Sequence, residues 1–161
     1  MGKNEINAYL QQQNIHFKEF IVDLKTFPPP HEFWKKNNIL RCKNLFFRDN
    51  HGKNHFLVIF DYYKKIDLKR LQEITGRGSM TMASAWRLEK YLGLQPGYIS
   101  VFGLINDKEK HVKVILDKEL DQEYMLSFLP NTRGGSFLGI EFSGLLSFLN
   151  ATGNEYIIKN L

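Results

Sequence analysis

The run Lys43-Asn44-Leu45-Phe46-Phe47-Arg48-Asp49, then Asn50-His51-Gly52-Lys53, then His55-Phe56-Leu57-Val58-Ile59-Phe60-Asp61 decides the fold class. Asp, Asn and Gly carry turn chemistry, so the two apolar runs are predicted to pair as strands across 49–53. Phe56 to Phe60 is continuously apolar and leaves no face for water. That strand is expected at the centre of a sheet covered on both sides.

Outward from this pair the elements alternate without regular βαβ order. Upstream, Ile6 and Leu10 lie four apart in Asn4 to Asn14, the spacing of a short amphipathic helix, and Phe17 to Val22 reads as a strand. Thr26-Phe27-Pro28-Pro29-Pro30 is an extended loop, because three prolines fit neither a helix interior nor a central strand. His31 to Asn38 suggests a short helix. Downstream, Asp67 starts a helix through Leu68, Leu71 and Ile74 that Gly76 ends, and Ser84 caps a second, Ala85 to Leu92, stopped by Gly93. His111 to Asp117 alternates as a strand does. Tyr124 to Leu129 and Phe137 to Phe142 are further strands, Ser143 caps a last helix closed by Gly153, and Tyr156 to Ile158 is a terminal strand. The pattern is α+β, one domain over residues 1–161 around one mixed sheet.

Composition agrees. The chain has 161 residues, 43% apolar, with 13 Phe and 7 Tyr, enough for a core and far from disorder, collagen or coiled coil. Mean hydropathy is −0.34, and no apolar run approaches a bilayer span. Residues 1–20 lack an apolar signal core, and the lone Cys42 has no partner for an internal disulfide, so a reducing, cytoplasmic setting is expected. The net charge of +5 permits a polyanionic partner without requiring one.

The common chemical motifs are absent. His51 and His55 fall across a turn, and His31-Glu32 lacks the second histidine of a zinc-protease helix, so no metal is expected. Gly76-Arg77-Gly78 lacks the third glycine of a dinucleotide loop, and no cofactor is implied. Two places stand out. Arg41-Cys42-Lys43-Asn44 opens an aromatic strand, where a lysine and an amide can hold a carbonyl or phosphate oxygen. In Pro96 to Asn106, Gly97 and Gly103 can bring bare backbone against a ligand, and free N–H groups there suit a developing oxyanion.

At these residues the sequence resembles the YbaK/prolyl-tRNA synthetase-associated editing family, in its freestanding alanyl-tRNA(Pro) deacylase branch. The matching stretches run in family order over nearly the whole chain: Lys43 to Asp49, Asp67 to Leu71, Arg87 to Gly93, Pro96 to Asp107, Pro130-Asn131-Thr132 and Leu145 to Gly153. The resemblance implies a mixed sheet curled into a partial barrel with helices packed outside. It implies hydrolysis of the ester joining a wrong amino acid to the 3′ end of tRNA, here alanine on tRNA(Pro), in trans. Such editing is needed because a synthetase pocket rejects a smaller apolar residue by only about 1–3 kcal/mol per methylene.

The resemblance also assigns roles. The family lysine falls on Lys43, with Asn44 beside it, gripping substrate and helping to place the attacking water. The backbone of Gly97 to Val101 would polarise the scissile carbonyl, Ser100, Val101 and Phe102 lying in that segment. Phe27, Leu129 and Asn131 would bind substrate, with Met125 and Phe128 as further pocket candidates. Lys35, Lys36, Arg77 and Lys110 would meet tRNA phosphates. The implied partners are mischarged tRNA and prolyl-tRNA synthetase, with no membrane. Departures stand at Val101 for the usual loop proline, Leu129 and Arg41 for usual histidines, and Thr26 to Pro30 without the usual early histidine. These departures open a second reading, a weakened member serving as an amino-acid or aminoacyl-tRNA binding module.

Overall fold

The computed structural model describes residues 2–130 and 135–161. Five helices, α1 (Lys3–Gln12), α2 (His31–Lys36), α3 (Leu68–Thr75), α4 (Ala85–Leu92) and α5 (Phe142–Thr152), pack on eight strands. These are β1 (Lys18–Ile21), β2 (Ile39–Arg48), β3 (His55–Asp61), β4 (Thr81–Met82), β5 (Val112–Asp117), β6 (Met125–Phe128), β7 (Ser136–Glu141) and β8 (Tyr156–Lys159). The mixed sheet runs β1-β7-β6-β2-β3-β5-β8, with β4 against β2. It does not close, and β1 and β8 are its edges, so the expected partial barrel in an α+β chain holds. No described helix is long and apolar enough to cross a membrane.

The strand pair of the opening run forms as its sequence dictates. Leu45 faces Val58 and Phe47 faces Phe56 in antiparallel register. The turn is held by buried Asp49, whose carboxylate accepts from the Lys53 and Asn54 amides and from Asn54 Nδ2. β3 is continuously apolar because both of its faces are covered. Leu57 and Ile59 pack in the main core with residues of α1, α4 and α5, while Phe56, Val58 and Phe60 pack under Leu71 of α3. A third cluster joins Trp34 of α2 to Ile39 and Phe137 at the other end of the sheet.

Several boundaries differ from the sequence expectation. β2 starts at Ile39, four residues before Lys43, because its first three residues pair with β6 instead of β3. α5 starts at Phe142 with Glu141 at its N-cap, so Ser143 lies inside the helix. Ser84 is at the N-cap of α4, but its hydroxyl makes no capping bond. Gly103, expected to approach a ligand, is buried in a 3₁₀ turn over Val101–Asn106. A Cβ there would stand 2.7 Å from Leu94 Cδ1 and 3.0 Å from the Leu92 carbonyl oxygen, so its smallness serves the packing of that turn on the end of α4.

A polar chain ties α4 to the sheet. Arg87 Nη1 lies 2.9 Å from the Gly52 carbonyl and 2.9 Å from His55 Nε2, and His55 Nδ1 lies 2.8 Å from His111 Nε2. Guanidinium nitrogens only donate, so His55 Nε2 accepts and its Nδ1–H donates to His111. Tyr91 stacks on His111 at 4.4 Å. Burial, then the charge of His111 and of Arg87, push His55 down to about 4. The unfolded side chain titrates near 6.5, so the unfolded state takes up the proton first on acidification. The contribution of neutral His55 is complete above pH of about 6.5 and is lost as pH falls toward 4. Urea unfolding is expected to show this loss in the native protein, and His55→Gln is expected to flatten it. Parallel pH profiles for the two proteins would remove His55 as the cause.

Candidate functional site

β2 changes partners along its length. On one edge it pairs with β3 from Cys42 to Arg48. On the other it pairs with β6 at Ile39–Arg41 and with β4 at Phe47–Arg48. Backbone groups in an antiparallel pair point to the two edges alternately. The Arg41 carbonyl accepts from Tyr62 on the β3 side, whereas the Phe46 carbonyl accepts from the Ala83 amide on the other. Asn44 therefore aims its N–H and C=O at the second edge, in the interval between β6 and β4. No described residue bonds either group.

That interval is the floor of a cleft of about 400 Å³. Lys43, Asn44 and Leu45 line it from β2, Gly97 and Ile99 from the loop after α4, Ser127 and Phe128 from β6 with Leu129 just after it, and Phe27 and Pro28 from the proline loop. Trp34 holds the last in place, since its indole Nε1 donates to the Pro29 carbonyl at 3.1 Å. The Gly97 loop is pinned by Ser100, whose buried hydroxyl donates to the Leu129 carbonyl at 2.6 Å and accepts from the Phe102 amide. Gly97 itself has φ +87°, and a Cβ there would meet nothing within 4 Å. The residue faces open space, and its conformation is what requires glycine.

The cleft is cationic, and among the described residues no side chain that lines it is an activated nucleophile. Arg41 stacks on Tyr62, its Cζ 3.4 Å from the ring centroid, and Lys43 Nζ lies 5.3 Å from the same ring. Among the described residues no carboxylate reaches either cation within 4 Å. Asn44 Oδ1 is buried with no hydrogen-bond partner. Cys42 lines the cleft, but burial pushes its thiol well above the ordinary range, so it stays protonated and unreactive. Ser127 Oγ is occupied by the Leu40 carbonyl and the Cys42 amide, and no histidine lines the cleft to activate it. What the cleft offers is an ammonium group, free backbone on two sides and apolar walls. These are tools for binding and polarising an acyl carbonyl and orienting water.

The structure brings Lys43, Asn44, Phe27, Gly97 and Leu129 to this one cavity, with Phe128. Val101 and Phe102 are fully buried in the main core beneath the loop, and Ser100 acts from behind it. Met125 does not line the cleft, and Asn131 lies outside the described residues. Sequence reading did not assign Tyr62, Trp34 or Phe137 to the cleft. Each comes from a separate segment, and only tertiary folding joins them.

The sequence model of the aminoacyl-tRNA editing domain matches residues 34–141, and the chain belongs to that family, whose activity is aminoacyl-tRNA deacylation. It is 39% identical over 114 residues to the prolyl-tRNA editing protein ProX of Acetoanaerobium sticklandii, covering 71% of this chain and 69% of that protein. Solved structures share the fold, two of them as follows. A proposed trans-editing enzyme for prolyl-tRNA synthetase superposes with a TM-score of 0.70 at 17% identity, over 99% of this chain and 96% of that one. The hypothetical protein APE2540 does so at 0.65 and 16% identity, over 94% and 96%.

Gly97→Ala is expected to destabilise the protein by about 1–2 kcal/mol in urea unfolding, through the positive φ alone. Unchanged stability would show that the loop relaxes freely to another conformation.

Proposed function

We propose that this deacylase acts in trans on tRNA(Pro) mischarged with alanine, in the cytoplasm, after prolyl-tRNA synthetase has released the error. The observation that carries the reading is the convergence of Lys43, Asn44 and the bare Gly97 backbone on one cleft in which no described side chain is an activated nucleophile. In this mechanism the scissile carbonyl lies between β2 and the Gly97 loop. Backbone N–H groups there stabilise the oxyanion as it develops. The Lys43 ammonium grips the ester end of the substrate and orients water, and no acyl-enzyme forms. Phe27, Leu129 and Phe128 enclose a small apolar side chain.

The name of the relative and that of the structural neighbour both point to prolyl-tRNA, which supports the choice of tRNA. Editing logic supports alanine. A pocket shaped for proline admits the smaller residue, and a second site must remove it.

A panel of mischarged tRNAs scored for free amino acid tests this. Alanine is expected to leave tRNA(Pro) faster than proline does, and Lys43→Ala is expected to slow hydrolysis by about 10²–10³-fold. Equal rates for wild type and Lys43→Ala would remove the site. Faster release of a different amino acid would remove alanine. Saturable tRNA binding with no hydrolysis above background would select a binding module.

A further inference from the structure

A second hollow, of about 300 Å³, adjoins the cleft, and Arg41 and Trp34 form the wall common to both. Its lining includes Tyr63, Tyr124, His31 and Asp61. Tyr63 is 48% exposed and Tyr124 40%, a large bare aromatic area for two residues in one concavity. The ring of Tyr63 is braced edge-on by His31 at 4.3 Å and by Tyr62 at 5.3 Å, so it is a rigid platform. The Asp61 carboxylate takes the Tyr63 amide on Oδ1 at 2.9 Å, leaving Oδ2 as an acceptor in the hollow.

We propose that this hollow is a subsite for the penultimate nucleotide of the single-stranded tRNA 3′ end, with Arg41 as the positioning residue for the phosphate that joins it to the terminal adenosine. The inference rests on the cleft holding the aminoacyl ester. Arg41 and Lys43 lie two residues apart on β2, both against Tyr62, so their Cα atoms are about 7 Å apart along the strand. That spacing is the reach of one nucleotide from its acylated ribose to its 5′ phosphate. Stacking on Tyr62 fixes the guanidinium plane and leaves its N–H edges free, and no described carboxylate competes for them. Beyond the phosphate, the next base meets an open tyrosine ring and a carboxylate that can accept from an exocyclic amine, the group cytosine presents. Lys35 at the rim adds a second cation for the backbone.

Binding to the intact protein tests this without relying on hydrolysis. The probes are adenosine and cytidylyl-(3′→5′)-adenosine, titrated by calorimetry or amide chemical shift. Wild type is expected to bind the dinucleotide at least tenfold more tightly. Arg41→Gln and Tyr63→Ala are each expected to shrink that advantage below about threefold, and Tyr63→Ala, which lies outside the cleft, is expected to leave adenosine binding unchanged, which also reports an intact fold. Arg41→Lys is expected to keep part of it. Arg41→Gln is further expected to lower the salt slope by about 0.7, one single-strand phosphate contact. Equal binding of the two probes by wild type would overturn the subsite, as would variants that weaken both probes alike. If wild type hydrolyses no aminoacyl ester yet prefers the dinucleotide, the reaction assigned to the cleft fails and the subsite stands.

Discussion

The structure depends on a strand that changes partners. β2 borrows β6 for its first three residues and β4 for its last two, and between them no described strand pairs with that edge. Backbone amides inside a fold are almost always paired, so such an interval is destabilising unless something fills it. Here the loop carrying Gly97 comes near without closing the gap, and the result is a cleft whose floor is hydrogen-bonding backbone. A side-chain-lined hollow of the same size would be more adaptable and less precise. A backbone edge held by a sheet cannot drift, because β3 fixes the same residues from the other side.

The same arrangement explains why the cleft is cationic. Lys43 and Arg41 point from one face of β2 to the Tyr62 ring, an aromatic contact that steadies a cation without neutralising it. Carboxylates elsewhere in the fold do structural work. Asp117 is paired with Lys64 at 2.7 Å, Asp107 accepts from the Val112 amide and from Asn154, and Asp49 holds a turn. Positive charge is therefore left facing the cleft, where a polyanion carrying an ester would meet it. The walls around it are held by bonds at their bases, Ser100 to Leu129 and Trp34 to Pro29, which leaves their cleft-facing surfaces free.

Legibility in the sequence followed the range of the forces. The β2–β3 pair, the central place of β3 and the helices that end at Gly76, Gly93 and Gly153 are set by local pattern and by left-handed caps, and these were readable. The start of β2 was not, because Ile39 to Cys42 lacks an apolar alternation and owes its strand form to a distant partner. β4 is two residues long and has no period to detect. Lys43 and Gly97 stood out through resemblance and residue type. The pairing of Arg41 with Tyr62, and the second hollow beyond it, are tertiary facts with no local signal. Gly103 misled because a glycine that lets two elements touch and one that admits a ligand look alike in sequence.

The most direct test of the central claim is to locate the ester. A stable analogue, adenosine with alanine joined through a 3′ amide in place of the ester, can be titrated into isotopically labelled protein while backbone amide signals are followed. The account predicts that the amides of Asn44 and Gly97 move together and saturate at one concentration. Saturable binding that leaves both signals in place while amides elsewhere shift would contradict it.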